Sequence, residues 1–101
     1  MRLKFKEENR LEMNSNALKI NPRDNVVIAI RQITKGEDVV VDGVKLLEAA
    51  EDVAASHKIA LIDIKAGGVV LRYGEPIVQA RDDIGKGRWV HVHNTQPIER
   101  D

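Results

Sequence analysis

Apolar residues in this chain come in short runs, rich in Val and Ile and broken by Gly, Asn, Asp or charged residues. β-Branched runs between turn residues predict strands. They fall at Ala17 to Ile20, Asn25 to Ile30, Asp38 to Val41, Val44 to Leu47, His57 to Ile62, Val69 to Tyr73, Ile77 to Ala80 and Trp89 to His93. Asp42-Gly43 suits a type I′ turn and joins the third and fourth strands as a hairpin. Leu46 to Ala55 is rich in Leu, Ala and Glu, so propensity there predicts one or two helical turns. Many short strands with Gly turns and little helix predict a small, irregular all-β barrel.

A short turn motif punctuates the chain. Ile33-Thr34-Lys35-Gly36-Glu37-Asp38-Val39 reads I-x-x-G-x-x-V, as do Ile64 to Val70 and Ile84 to Val90. Val53 to Ile59 is a fourth copy, with Ser56 in place of Gly. In each, an apolar residue anchors the turn, Gly accepts a positive φ, and the next strand opens with an inward Val or Ile. The uneven spacing of the copies excludes a solenoid array.

The 101 residues suit one small domain, and no apolar run is long enough to span a membrane. The first residues alternate charge with apolar side chains and contain no signal-peptide core. Cysteine is absent, which removes disulfides and thiolate metal sites and makes the cytoplasm the default location. Sixteen basic residues balance sixteen acidic ones, and Phe5, Tyr73 and Trp89 are the only aromatics. That composition argues against nucleic acid as a partner.

All three histidines lie in two stretches, Ser56-His57-Lys58 and Trp89-Val90-His91-Val92-His93-Asn94. On a strand, His91 and His93 project from one face and can grip a metal or an anionic substrate, while Val90 and Val92 point into the core. A third metal donor is needed, either His57 or a carboxylate from a partner. His57 is also placed to transfer a proton, and Lys58 to pair with a carboxylate. Asn94 either bonds a substrate hydroxyl or ends the strand. Tyr73 either lines the site or anchors a strand end. Trp89 is expected in the core or at an interface. Arg72, Arg81 and Arg88 either bind a carboxylate in bidentate fashion or are ordinary surface charge, the preferred reading, and Asp82-Asp83 read as turn acids.

Several of these stretches also carry a family resemblance. Asn16-Ala17-Leu18, Pro22-x-Asp24-Asn25-Val26, His57-Lys58-Ile59-Ala60-Leu61, Tyr73-Gly74-x-Pro76-Ile77 and Gly87-x-Trp89-Val90-His91-x-His93-Asn94 occur in this order. The pattern resembles the SAF domain of altronate and galactarate dehydratases. The resemblance implies a β-clip fold, like that of type III antifreeze proteins, over residues 14–101, preceded by an extension at 1–13. The extension is either a frayed arm or an edge strand held by Leu3 and Phe5. The resemblance further implies a small subunit that acts on a sugar acid with a larger catalytic dehydratase subunit and divalent iron or manganese. On this reading the chain is not active alone. The small subunit of sulfolactate sulfo-lyase is similar too. Two positions depart from the family pattern: Val78 where Gly is usual, and Ala54-Ala55-Ser56 where Pro-x-Gly is usual. Val78 fills space that Gly leaves open, which bears on the substrate more than on the fold.

Three classes of function are therefore in view. The chain is one wall of a lyase active site, or a non-catalytic carbohydrate-binding or docking module, or a self-associating structural domain.

Overall fold

The computed structural model describes residues 14–99. The two readings of residues 1–13 lie outside the described residues. Nine strands follow in order: β1 (Ala17–Leu18), β2 (Val26–Ala29), β3 (Asp38–Val41), β4 (Val44–Glu48), β5 (Lys58–Ala60), β6 (Val69–Arg72), β7 (Glu75–Ala80), β8 (Trp89–Val90) and β9 (Thr95–Gln96). All pairings are antiparallel and make three small sheets: β1-β2-β5-β8, β3-β4 and β6-β7-β9. The fold is all-β, as expected, and none of the described residues is helical. The helical turns expected between Leu46 and Ala55 do not form. β4 runs to Glu48, Ala49 is buried, and Val53 bridges to Ile33. Burial of Leu47, Ala49 and Val53 at irregular spacing overrides the helical propensity of the segment.

The four turn motifs all fold as predicted. Gly36, Gly67 and Gly87 have φ of 88°, 88° and 86°, and Ser56 takes the same left-handed region at 73°. The turns work in pairs, because Ile33 bridges Val53 and Ile64 bridges Ile84. The acid just before an anchor caps the partner turn: Asp52, Asp83 and Asp63 accept the N–H of Lys35, Ala66 and Lys86, each at 2.8 Å. Asp83 is thus a turn acid, as its sequence suggests.

The uneven spacing conceals a duplication. Residues 33–59 and 64–90 are related by a constant offset of 31 (33 to 64, 42 to 73, 53 to 84, 59 to 90). Each half is a bulged hairpin between two turns. Its tip is Asp42-Gly43 in the first half and Tyr73-Gly74 in the second, with positive φ at all four residues. The bulges match, falling at Val39/Val40 and Val70/Leu71. Each bulge is clasped by an asparagine. Asn16 bonds the Val40 N–H and the Asp38 carbonyl, and Asn25 bonds the Leu71 N–H and the Val69 carbonyl. Each half also has its own core cluster. Ile33, Val39, Val53 and Ile59 in the first correspond to Ile64, Val70, Ile84 and Val90 in the second. Burying each such side chain contributes about 1.5–3 kcal/mol.

Asp24 fixes the second hairpin tip. It is buried and accepts the Gly74 N–H at 2.7 Å and the Asn21 N–H at 3.0 Å. Burial taken alone raises its carboxyl, but hydrogen bonds from the Gly74, Asn21 and Tyr73 backbone together outweigh it and hold the group below its usual 3.8. A lowered folded-state value stabilises the fold above the unfolded value, and that contribution is lost as pH falls through the folded one. Asp24→Asn replaces one acceptor oxygen by a donor, so one buried N–H loses its partner at a cost of about 1–3 kcal/mol at neutral pH. Urea unfolding at pH 7 and pH 3 checks this. The gap between variant and parent is expected to be wide at pH 7 and narrower at pH 3.

A candidate active-site wall of histidines on Trp89

The last strand is shorter than the sequence suggests. β8 stops at Val90, and residues 91–94 form a turn. Asn94 makes that turn. Its Oδ1 accepts the His91 N–H at 2.9 Å, its Nδ2 donates to the Trp89 carbonyl at 2.8 Å, and its own N–H donates to the His91 carbonyl. Thr95 Oγ1 donates to the same carbonyl, and the Arg81 guanidinium donates to that of His93. Two expectations are corrected by this. His91 and His93 do not share a face through strand alternation, and Val92 is 73% exposed rather than in the core.

The turn nevertheless brings the histidines together by another route. The half-buried Trp89 indole is the common surface. His91 stacks on it with centroids 5.3 Å apart and planes 12° from parallel, and His93 lies tilted at 4.6 Å. His57 arrives from the turn before β5, 5.5 Å from Trp89 and 4.7 Å from His91. β5 pairs with β8 through Ile59 and Trp89, which sets this approach. Trp89 also packs on the first core cluster, and its backbone N–H donates to Glu51 Oε2 at 2.9 Å. The indole is therefore fixed from below and behind, and it fixes the three imidazoles in turn.

Trp89 Nε1 donates to His57 Nδ1 at 2.9 Å. A neutral imidazole has one lone pair and one N–H. The lone pair of His57 faces the indole, so its Nε2 carries the hydrogen. For His91, burial first, and then the charges of His57, Lys58 and His93, push the imidazole below its ordinary 6.5. Lys58 is half-buried at the start of β5, next to His57 in the chain. Burial first, and then the Arg72 charge, lower its ammonium below 10.5.

Of the other candidates, Asn94 serves the imidazoles through the turn it builds. Tyr73 is exposed at the second hairpin tip, and the Arg72 guanidinium lies 4.8 Å from the centre of its ring. The Asn94 carboxamide is engaged at both ends by its turn. Val78 is half-buried against the second core cluster, where the first half has the buried Leu47. Among the described residues no group of three His, Cys, Asp or Glu is arranged to hold a metal ion. His91 and His93 offer two donors, and the His57 lone pair is already taken. Glu51 and the Trp89 N–H were not anticipated from sequence. Their signal was the turn pairing, which sets the start of β8 beside the end of the first hairpin. No helix of the described residues is long and apolar enough to cross a membrane.

Comparison with known proteins places this arrangement in a family. The profile of the altronate/galactarate dehydratase SAF domain matches residues 15–97. Altronate dehydratase of Bacillus subtilis (strain 168) is 44% identical over 79 residues, covering 78% of this chain and 16% of that protein. Altronate dehydratase of Escherichia coli (strain K12) is 43% identical over 79 residues, with the same coverage of 78% and 16%. The (2R)-sulfolactate sulfo-lyase subunit alpha of Paracoccus pantotrophus is 42% identical over 48 residues, covering 48% of this chain and 72% of that one. The chain thus spans about a sixth of the dehydratases it matches and most of the sulfo-lyase subunit. With more than three quarters of its length inside one profile, the chain belongs to the altronate/galactarate dehydratase SAF domain family.

Proposed function

We propose that this chain is the SAF part of a sugar-acid dehydratase, working with a larger catalytic part and lining one wall of the site where water is eliminated. The observation that carries the reading is the gathering of His57, His91 and His93 on Trp89, in a family whose named members are dehydratases. Elimination β to a carboxylate removes an α-proton, and negative charge builds on the carboxylate oxygens before the hydroxyl leaves. His57, with Nδ1 held by the indole, directs Nε2–H at that charge. A neutral imidazole in this role is a hydrogen-bond donor to a developing oxyanion, not a proton carrier. His91, kept neutral, has a lone pair free to accept a proton or orient a hydroxyl. Lys58 draws on the carboxylate electrostatically, and Asn94 holds the turn that presents His91 and His93.

Divalent iron or manganese supplies Lewis acidity to the departing hydroxyl when present. The described residues by themselves do not complete a site for it, so the larger part would provide the remaining ligands. The identity to a protein named as a sulfo-lyase subunit supports the alternative in which sulfite leaves. The exposed Val92 beside the histidines supports a docking role for the same face.

The test is to combine the chain with a larger dehydratase chain that lacks this region. Water loss from hexonates and hexarates, and sulfite release from sulfolactate, are then followed with and without the SAF chain. Water loss that depends on the SAF chain is the expected result. Equal rates in its absence overturn the reading, and sulfite release alone moves it to the sulfo-lyase class.

A further inference from the structure

The duplication permits a residue-by-residue comparison of the two core clusters. The offset of 31 carries Ala29, Ile33, Val39, Ala49, Val53 and Ile59 onto Ala60, Ile64, Val70, Ala80, Ile84 and Val90, and every one of these is buried. Leu47 maps to Val78, which packs on the second cluster. Three members of the first cluster break the rule: Ala17 maps to the exposed Glu48, and two valines map to cations. Val27 and Val41 map to Lys58 and Arg72. Where the first cluster is closed by Val27 of β2 and Val41 of β3, the matching places, Lys58 of β5 and Arg72 of β6, hold two cations.

Among the described residues these cations have no acidic partner within ion-pair distance, although Arg31, Lys45, Arg81 and Arg88 all have one. Arg72 Nε is buried with no acceptor. The guanidinium is steadied from one side by the Tyr73 ring, and one terminal nitrogen donates to the Tyr73 hydroxyl at 3.4 Å. Its remaining donors have no acceptor among the described residues. Lys58 is half-buried, and the Arg72 charge acts on it unfavourably. Val27 and Val41 share one core cluster, so the equivalent places put Lys58 and Arg72 in one neighbourhood. Like charges partly desolvated there cost stability unless an anion joins them. A guanidinium fork beside an ammonium suits an oxyanion, with Arg bidentate and Lys as a point charge.

We propose that Lys58 and Arg72, standing where the first half has Val27 and Val41, form an oxyanion site that holds a carboxylate or sulfonate group of the acid. The assignment rests on the function proposed above and adds Arg72 and the ligand group to it. Lys58 follows His57 directly in the chain, so the site adjoins the histidine wall. Tyr73 serves as the support for Arg72.

The test uses the whole chain alone. The Arg72 Nε–Hε and neighbouring amide NMR signals are followed during titration with L-tartrate, with isethionate, and with threitol as the neutral control. A saturable shift with tartrate or isethionate and none with threitol is expected, and the stronger of the two identifies carboxylate or sulfonate as the preferred group. Lys58→Gln and Arg72→Gln are each expected to weaken binding roughly tenfold or more. Lys58→Val/Arg72→Val restores the residues of the first half. It is expected to abolish binding while keeping or raising the melting temperature, because an unpaired charge pair is removed. Binding of threitol equal to that of tartrate, an unaltered shift in the Gln variants, no saturable shift, or a marked fall in melting temperature of the double Val variant would each overturn the proposal. Anion binding without support of elimination removes the dehydratase reading and leaves this site. Full elimination by the Gln variants does the reverse.

Discussion

His57→Ala is expected to lower the elimination rate of the assembled enzyme about 10²–10³-fold, the usual cost of losing one donor to a developing oxyanion. The loss should fall on kcat, since the charge that His57 meets exists only in the transition state. His57→Gln separates the two roles a histidine can play here. A glutamine can hold an amide N–H near the place of imidazole Nε2–H, but it cannot carry a proton. Partial recovery with Gln is expected, because the 2.9 Å bond from Trp89 Nε1 occupies the only lone pair of the neutral ring. Gln as poor as Ala would make His57 a proton carrier and contradict the tautomer. Steady-state rates of parent, Ala and Gln proteins with the larger dehydratase part decide it.

Gly87→Ala is expected to be the most damaging single methyl in the chain. Gly36 and Gly67 have φ of +88° but open space where a Cβ would go. Alanine there costs only the left-handed conformation, about 1–2 kcal/mol. At Gly87 the same backbone strain applies, and a Cβ would also stand 2.8 Å from the Glu48 carbonyl oxygen and 3.1 Å from the Ala50 nitrogen. Both are backbone atoms, and the Ala50 N–H is itself bonded to the Gly87 carbonyl. The second turn of the second half is packed under the end of the first hairpin and cannot give way. Overpacking adds about 1–3 kcal/mol, for a total of roughly 3 kcal/mol or more. For a domain of this size that lowers the melting temperature by about 15 °C. Calorimetry of the Gly36→Ala, Gly67→Ala and Gly87→Ala proteins gives the comparison, and equal shifts for all three would contradict the packing argument. The site depends on this turn, since Gly87 leads directly into Trp89.

Much of this was legible in the sequence, for identifiable reasons. Each turn announces itself by an apolar anchor with Gly or Ser three residues later, because local backbone sterics alone demand that pattern. Ser56 was readable as a turn residue even without Gly, since the anchor and the following Ile59 kept their spacing. The hairpin at Asp42-Gly43 followed from turn chemistry. The duplication was not seen, because the halves share anchors and glycines rather than whole segments, and the pairing of distant turns is a tertiary fact. The geometry of the histidines was misread for a related reason. Alternation along a strand assumes the strand continues, and the Asn94 side chain ends it by taking the His91 N–H. Trp89 as the platform emerges only when β5 and β8 are paired, and the choice between surface charge and anion binder for Arg72 turns on the burial of its Nε.

The measurement that bears most directly on the central claim uses the fact that the chain has only three histidines. Labelled with 13C-histidine, it gives three Cε1–Hε1 signals, each assigned by one substitution. Spectra are taken of the SAF chain assembled with its larger dehydratase part, before and after addition of a sugar-acid analogue lacking the β-hydroxyl. The account predicts that all three signals move on addition of the analogue. Three signals that stay in place while the analogue is bound would show that the histidine wall faces away from the substrate.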